Sequence, residues 1–361
     1  MRIAVPAEVQ DQESRVAMTP EGTRQLVAAG HQVTVQSGAG VGAGFSDADY
    51  EEQGAQIAPD AASVWAAGDL IVKVKQPTEA EREVFPRGAI FFGYTHTETR
   101  PWLVEALLDR GMTAISFERV RLEDGSLPLL APMSRIAGHM SVLIGAQLLQ
   151  TIHGGPGVML GQMPGIGQSA VAIIGGGVVG EAAARVASAL GARVSIFELR
   201  EERRSQLMSA LPGIEALPPD PALVAEAVQG AWLVVNGATV PEGSEEHVVT
   251  REMVRAMRPG AVIIDVTADL CGAVETSVRK TTHAAPTFVE EGVTHYVVPN
   301  IPGVVPQTAT VALEHATLPY TLQIADQGFD RAIETSPALA GAVLCRHGTP
   351  VAPDVAEVVG R

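Results

Sequence analysis

A glycine-rich turn in the middle of the chain has the residue spacing of a dinucleotide-binding site. Gly175, Gly177 and Gly180 satisfy the pattern G-x-G-x-x-G directly after the apolar run 170–174, and a helical pattern follows over 178–190. In such a turn the first glycine permits the tight bend, the second lets the backbone approach a pyrophosphate, and the third allows close helix–strand packing. The N–H groups at a helix N-terminus attract that phosphate. The segment therefore predicts that the chain binds a dinucleotide.

An acidic residue follows at the spacing expected for a ribose contact. The second β-rich run, 193–197, leads to Glu198, which lies 18 residues after Gly180 (198 − 180). A carboxylate near that position hydrogen-bonds the ribose 2′-OH and would repel a 2′-phosphate, so the sequence favours NAD over NADP. Arg200 and Arg203 lie close by and weaken that preference. The alternative is a glycine-rich turn in an unrelated α/β protein, and the ordered strand, helix, strand and acid argue against it.

Isolated polar residues at predicted strand ends are the other candidates for chemistry. Lys73 and Lys75 end an apolar strand and share one face by period-two alternation, a pattern that by itself favours a solvated face. His96 ends a second apolar strand, and strand ends are where α/β proteins place chemistry, although a lone histidine is more often structural. Arg15 lies in a polar loop after the first strand, where taken alone it would indicate a solvent-facing charge.

Two aspartates lie around the end of a later strand. We expect Asp265, at the end of the predicted strand 261–266, to serve the loop backbone, and Asp269, in the following turn, to face the nicotinamide end of a cofactor. The chain has no G-x-S-x-G sequence, which argues against a serine hydrolase. Its nine histidines form no H-x-x-x-H pair, so the sequence predicts no metal site.

Length, charge and cysteine content limit the class of protein. With 361 residues the chain is long enough for two domains, since a single core rarely grows past ~250–300 residues. A formal charge of −16 argues against nucleic acid or an anionic membrane as the main partner. Cys271 and Cys345 lack metal-ligand spacing, and the N-terminus has no signal-peptide pattern, so a cytoplasmic location is expected. The uncharged run 154–180 holds ten glycines and two prolines, which disfavours a membrane span.

The elements that must position these residues alternate between strand-like and helix-like runs. We predict an α/β fold with two Rossmann-like domains, in which the NAD-binding domain is inserted in a discontinuous substrate domain. Residues 1–130 form the first part of the substrate domain, and 131–305 form the NAD-binding domain with a spacer helix at 136–150. Residues 306–361 are expected to return to the substrate domain as helices, beginning with a helix near 308–327.

Several longer motifs resemble one family over nearly the whole chain and in the same order. The runs VPAEVQDQESRVAMTPEG, DLIVKVKQP, SLPLLAPMSRIAG, IIGGGVVG and VVPNIPGVVPQTATVALEHATLPY resemble those of the alanine dehydrogenases, which share their fold with the nicotinamide-nucleotide-binding subunit of proton-pumping transhydrogenase. The resemblance implies reversible, NAD-dependent oxidative deamination of L-alanine to pyruvate and ammonium. It also implies a homo-oligomer, specifically a hexamer.

The resemblance also implies roles for individual residues. Arg15 would clamp the substrate carboxylate, and Lys75 and Met133 would bind the substrate as well. His96 and Asp269 would be the catalytic acid/base residues. The positions that would bind the cofactor are Ser134, Gly175, Gly177, Val178, Val179, Gly180, Glu198, Arg203, Thr239, Val266, Arg279, Val298 and Asn300.

These roles are chemically consistent with one another, but the substrate stays open. Arginine offers a carboxylate a bidentate fork, lysine can polarise a carbonyl oxygen, and histidine transfers protons near neutral pH. The run Leu270-Cys271-Gly272 stands where the family usually has Gln-Gly-Gly. The alternatives are therefore a dehydrogenase of the same fold that acts on another 2-amino acid or condenses a keto acid with an amine. A transhydrogenase-type NAD(H)-binding subunit and a catalytically silent NAD-binding protein also remain.

Overall fold

The structure is a computed structural model that describes residues 1–241, 244, 246–268 and 270–358. The chain divides into two compact units: the first consists of Met1–Met133 and the segment from Val305 onward, and the second is Ser134–Val304. Each unit contains a largely parallel sheet with helices. The predicted α/β fold class, with two Rossmann-like domains of which one interrupts the other in sequence, is confirmed. Among the described residues, no helix is long and apolar enough to cross a membrane.

The chain forms helices and strands in a mostly alternating order. The segment up to the second unit contains β1 Arg2–Val5, α1 Pro20–Ala28, β2 Gln32–Gln36, α2 Asp47–Glu52, β3 Gln56–Ala58, α3 Ala61–Ala67, β4 Leu70–Val72, β5 Ile90–Gly93, α4 Pro101–Asp109, β6 Thr113–Ser116 and the start of α5 Ala131–Leu148. The second unit continues with β7 Ala170–Ile174, α6 Val178–Ala189, β8 Arg193–Phe197, α7 Glu201–Ala210, β9 Glu215–Leu217, α8 Pro221–Gly230, β10 Leu233–Asn236, α9 Arg251–Arg255, β11 Val262–Asp265, β12 Thr287–Glu290 and β13 Val293–Tyr296. The last segment contains α10 Pro306–Gln327, α11 Phe329–Thr335, α12 Pro337–Ala340, β14 Val343–Arg346, β15 Thr349–Pro350 and α13 Pro353–Val358.

The sheet of the first unit has the strand order β15-β14-β6-β5-β4-β1-β2-β3. Strands β1 to β6 pair in parallel, so the loops that follow β1, β4, β5 and β6 leave the same edge of the sheet. Strands β14 and β15 are antiparallel additions at one side. The prediction that 306–361 is purely helical is therefore wrong. The three apolar residues of β14, Val343, Leu344 and Cys345, are buried, and the strand pairs with β6, in a distant part of the chain.

The sheet of the second unit has the strand order β12-β13-β11-β10-β7-β8-β9. All neighbours are parallel except β12 and β13, which form an antiparallel pair. The chain winds outward from β7 through β8 and β9 in one direction, and from β10 through β11 and β13 in the other. This reversal at β7 and β10 is the switch point at which open α/β sheets bind ligands, outside the carboxyl ends of their strands.

Helix boundaries follow local capping chemistry. The Thr19 hydroxyl accepts a hydrogen bond from the Gly22 N–H and Pro20 occupies the first turn of α1, as the sequence predicts. Helix α5 begins at Ala131, five residues earlier than predicted at 136, because Pro132 is tolerated where a helical N–H has no partner within the helix. Helix α10 likewise starts at Pro306, two residues before the predicted 308.

Candidate active site

Arg15 is buried against a carboxylate of its own loop. The Arg15 side chain is 3% exposed and that of Glu13 is 1% exposed. Glu13 Oε1 accepts hydrogen bonds from Arg15 Nε at 2.7 Å and from the Arg15 backbone N–H at 3.1 Å, while Oε2 accepts from Nη2 at 2.6 Å. The indication that Arg15 is a solvent-facing charge, taken from its polar loop alone, is therefore wrong. A cation this deeply buried is held because its charge is compensated.

The ionisation of this pair follows from its contacts. Burial would raise the pKa of Glu13, but the hydrogen bonds and the charge of Arg15 lower it to about 2. Burial would lower the pKa of Arg15, and the hydrogen bonds and charge of Glu13 raise it instead. The pair is therefore fully ionised at neutral pH. Arg15 Nη1 also lies 3.1 Å from Met133 Sδ, so the predicted substrate-binding residues Arg15 and Met133 are in contact.

Lys73 lies directly after β4, two residues before Lys75, and is a fully buried structural cation. Its Nζ donates to Glu8 Oε2 at 2.7 Å and lies 3.6 Å from Glu81 Oε1. Glu8 Oε1 also accepts from the backbone N–H groups of Val74 at 2.7 Å and of Lys75 at 3.3 Å. Strand alternation favours a solvent-exposed position for Lys73, and this prediction is wrong because the side chain is fully buried. The Glu8 carboxylate instead fixes the backbone that carries Lys75.

Lys75 has an ammonium group that loses its proton unusually easily. Burial is the largest cause, and the positive charge of Arg15 adds to it, while Glu13 and Glu8 act in the opposite direction. Together these effects lower the pKa of Lys75 to about 8. A lysine with this pKa is mainly a cation at neutral pH and can also donate its proton, as chemistry on a carbonyl requires.

His96 lies in the loop after β5 in a conformation that side chains rarely adopt. Its φ angle is +45°, in the left-handed region. Glu118 Oε1 accepts hydrogen bonds from the backbone N–H groups of His96 at 2.7 Å and Thr95 at 3.0 Å, which holds the loop in this conformation. The same oxygen lies 4.0 Å from His96 Nδ1. The imidazole is 40% exposed, so a ligand can reach it.

Glu118 is an ionised group beside this histidine. Burial would raise the pKa of Glu118, but hydrogen bonds with Ser116 and the His96 backbone, together with the charge of His96, lower it. Glu8, Glu13 and Glu118 are carboxylates that contact predicted site residues or their strand ends, and the sequence reasoning missed them. Only Glu13, two residues before Arg15, offered a local signal. Glu8 and Glu118 meet their partners through folding over 65 and 22 residues.

In the glycine turn of the second unit, Gly175 and Gly180 occupy positions that do not tolerate a side chain. Gly175 has φ +93°, and a Cβ on Gly180 would lie 1.9 Å from the Gly175 carbonyl oxygen. At Gly177 a Cβ would meet no atom within 4 Å. Helix α6 begins at Val178 without a side-chain cap, and Val179 follows in its first turn. The turn therefore offers open space and a helix N-terminus, which is what a pyrophosphate needs.

Glu198 and Arg203, which lie near the turn, form hydrogen bonds with its backbone. Glu198, directly after β8, accepts a hydrogen bond from the Gly176 N–H at 3.2 Å and two from Arg200. Arg203 Nε donates to the Gly176 carbonyl at 2.8 Å, and its Nη2 donates to Glu181 at 2.5 Å. Burial would raise the pKa of Glu198, and hydrogen bonds from Arg200 lower it, so the carboxylate remains charged.

The other predicted cofactor residues fall into two groups. Thr239, Val266 and Val298 follow β10, β11 and β13, and thus lie at the same sheet edge as the glycine turn after β7. The remaining three also lie in the second unit: Ser134 in the first turn of α5, Arg279 with its guanidinium 4.8 Å from the centre of the Phe288 ring, and Asn300, which like Val298 follows β13 and whose backbone carbonyl accepts from His283 Nε2 at 2.9 Å.

Asp269, the second predicted catalytic residue, lies outside the described residues. Its neighbours Ala268 and Cys271 have φ angles of +48° and +52°. Before this turn, the fully buried Asp265 accepts hydrogen bonds from the side chains of Asn236 at 2.9 Å, Thr267 at 2.8 Å and Ser277 at 2.6 Å. Asp265 therefore joins β10, β11 and the following loop through side chains, whereas the sequence suggested contacts with the loop backbone.

Comparisons with known proteins agree over the full length of the chain. The family "Alanine dehydrogenase/PNT, N-terminal domain" matches residues 4–137, and "Alanine dehydrogenase/PNT, C-terminal domain" matches 141–353. The chain is 44% identical to "Alanine dehydrogenase" of Bacillus subtilis, over 100% of this chain and 95% of that protein. It is also 44% identical to "Alanine dehydrogenase" of Methanococcus maripaludis, over 94% of this chain and 91% of that protein.

Solved structures show the same relationship. A structure described as "L-alanine dehydrogenase" superposes with a TM-score of 0.94 at 43% identity, covering 100% of this chain and 99% of that one. A transhydrogenase from Sinorhizobium meliloti gives a TM-score of 0.84 at 24% identity, covering 98% of this chain and 100% of that one. The second match is evidence of a shared fold alone.

Proposed function

The chain belongs to the alanine dehydrogenase/PNT family, and we propose that it catalyses the reversible conversion of L-alanine, NAD⁺ and water to pyruvate, ammonium, NADH and a proton. The family and its fold imply a nicotinamide cofactor. The observation that carries the proposal lies in the first unit, where a buried arginine and a lysine with a lowered pKa act on each other, and an accessible histidine follows the strand β5 that pairs in parallel with the strand before the lysine.

The substrate-binding step uses the cations of this cluster. A 2-amino acid or 2-keto acid carries a carboxylate, which the guanidinium of Arg15 and the ammonium of Lys75 attract. Met133, in contact with Arg15, supplies an apolar surface suited to a small side chain. In the direction of reductive amination, Lys75 polarises the carbonyl oxygen of the keto acid and so favours attack by ammonia at C2.

Proton transfer is assigned to His96. When bound, a nicotinamide would accept the hydride from C2 of alanine, after the ammonium group of alanine has lost the proton that the overall reaction releases. Water then adds to C2 of the resulting imino acid, with His96 taking a proton from the water. His96 returns that proton to the nitrogen, and the C–N bond breaks as the C2 hydroxyl becomes the carbonyl of pyruvate and passes its proton to ammonia, which leaves as ammonium. An imidazole performs both transfers near neutral pH because its ordinary pKa is close to that pH. We assign Asp269 as the second acid/base residue by family resemblance.

The glycine turn supports binding of the dinucleotide, and Glu198 supports the choice of NAD. The open space at Gly177 and the uncapped N-terminus of α6 suit a pyrophosphate. The charged Glu198 carboxylate would accept a ribose hydroxyl and repel a 2′-phosphate. By resemblance we further propose that the enzyme is a hexamer of identical chains in the cytoplasm, and sedimentation analysis of the purified protein tests the hexamer.

The deciding experiment follows the loss of NADH absorbance with ammonium and a panel of 2-keto acids. We expect turnover with pyruvate that requires ammonium, and weaker turnover with NADPH in place of NADH. Turnover restricted to larger keto acids would assign another amino-acid substrate, which the exposed Leu270 and Cys271 would then help to select. Tight NADH binding without turnover of any keto acid would contradict the proposal.

A further inference from the structure

The guanidinium that would bind the substrate carboxylate already holds a carboxylate on one side. Glu13 binds Arg15 through Nε at 2.7 Å and Nη2 at 2.6 Å, which is the bidentate side-on geometry. A second carboxylate therefore cannot take that side. The side of Arg15 that carries Nη1 is the one next to Met133.

Glu13 also changes the charge that a substrate meets. The two side chains are 1% and 3% exposed and form a pair without net charge. Because opposite charges at this distance cancel at a neighbouring site, Arg15 alone supplies little net attraction for an anion. Lys75, the cation of this cluster whose charge interacts with both Arg15 and Glu13, then supplies uncompensated positive charge for the substrate carboxylate.

We propose that Glu13 is a positioning residue of the substrate site, which closes the Nε–Nη2 side of Arg15, directs the substrate carboxylate to the Nη1 side next to Met133, and leaves Lys75 as the net positive charge that binds it. The inference rests on the proposed function because it assumes a carboxylate substrate. It predicts that binding of the substrate anion follows the protonation of Lys75.

The charged groups near Lys75 determine whether each substitution raises or lowers the pKa of this lysine. Burial and the charges of Arg15 and Arg100 lower the pKa of Lys75, whereas the charges of Glu13 and Glu8 raise it. Removing Glu13 should therefore lower the pKa of Lys75 further, and removing Arg15 should raise it. Two partners of one ion pair thus have opposite effects on a third residue, and the pyruvate KM should follow both shifts if the pair sets the charge of the substrate site.

The test measures the protonation of Lys75 directly in the full-length protein. Trace labelling with acetic anhydride at a series of pH values, read out by peptide mass spectrometry, reports the fraction of unprotonated Lys75. We expect a midpoint near pH 8 in the unmodified protein. The midpoint should fall by about 1 pH unit in Glu13→Gln and rise by about 1 unit in Arg15→Met, the size expected for one nearby charge.

Two further variants serve as controls. Glu13→Asp keeps the charge and should leave the midpoint close to that of the unmodified protein. Glu21→Gln removes a glutamate that also pairs with an arginine, Arg24, but on the exposed surface of α1, and should leave the midpoint unchanged. If Glu13→Gln does not fold, Glu13→Gln/Arg15→Met takes its place, and its midpoint should lie below that of Arg15→Met.

The kinetic readout links the midpoint to substrate binding. The pyruvate KM should begin to rise at the Lys75 midpoint of each folded variant, because the deprotonated amine no longer attracts the carboxylate. Equal midpoints in folded Glu13→Gln and Arg15→Met, or shifts of the same sign, would overturn the inference. A protein that shows the opposite shifts but does not turn over pyruvate would contradict the proposed function and leave the electrostatic role of Glu13 intact.

Discussion

The two units build their candidate sites from different kinds of structure. In the first unit the site depends on charged side chains brought together by folding, such as Glu8 with Lys73, 65 residues apart. In the second unit it depends on one continuous stretch of backbone, the turn 175–180. A site made of charges is sensitive to the loss of a partner and to pH, whereas a site made of backbone is sensitive to added volume. Substitutions in the two units should therefore fail in different ways.

The largest expected effect is on turnover, in the charged site. His96→Asn removes the proton-transfer group but suits the left-handed backbone, which asparagine adopts more readily than most residues. We expect kcat to fall by roughly 10²–10⁴-fold, the usual contribution of a general acid/base, with NADH affinity unchanged by fluorescence titration. His153→Asn, at an exposed histidine, is the control and should keep full activity. Near-normal turnover in His96→Asn would remove this histidine from the mechanism.

The next effect tests whether stability in the first unit depends on a buried ion pair. Glu8→Gln leaves the fully buried Lys73 without its main counter-charge, so we expect a loss of about 3–5 kcal/mol in the free energy of unfolding, measured by urea titration. Glu8→Gln/Lys73→Met removes both charges and should recover much of that loss. If the single and double variants are equally stable, the pair is not what holds the end of β4.

A smaller effect is expected from added volume in the second unit. A Cβ on Gly180 would lie 1.9 Å from the Gly175 carbonyl oxygen, so Gly180→Ala must displace the turn. We expect a loss of about 1–3 kcal/mol in the free energy of unfolding, together with weaker NADH binding, while the labelling midpoint of Lys75 stays the same. Gly167→Ala, where a Cβ meets no atom within 4 Å, should have no effect on either quantity. A matching shift of the Lys75 midpoint in Gly180→Ala would contradict the separation between the two sites.

The smallest effect concerns the charge of Glu198, beside the glycine turn of the second unit. Glu198→Gln keeps an acceptor beside the Gly176 N–H but removes the repulsion of a 2′-phosphate. We expect the ratio of NADPH to NADH turnover to rise by about tenfold, equivalent to roughly 1.4 kcal/mol. The measurement compares kcat/KM for the two cofactors. No change in the ratio would show that cofactor choice does not depend on this carboxylate.

The same difference between the units explains what the sequence could predict. The glycine turn, the cap of α1 at Thr19 and the alternation of strands and helices are local patterns, and the structure contains them. Strand alternation favours a solvated face for Lys73, because the pattern does not reveal that Glu8 lies opposite. The sequence predicts a helical tail, because the partner of β14 is β6, at a distant point of the chain. Contacts between distant residues leave no periodic signal, so the counter-charges of the substrate site became visible only in the fold.

The connectivity of the first unit has a consequence for biosynthesis. Its sheet gains β14 beside β6 through the pairing of Val343 with Ile115, and Thr19 donates its backbone N–H and its hydroxyl to Glu314, 295 residues further along the chain. The second unit, in contrast, is one uninterrupted segment. During synthesis from the N-terminus the inserted unit can complete its sheet while the first still lacks an edge and a helix. The half that begins the chain is thus the last to finish folding, and it needs the ribosome to deliver nearly the whole polypeptide first.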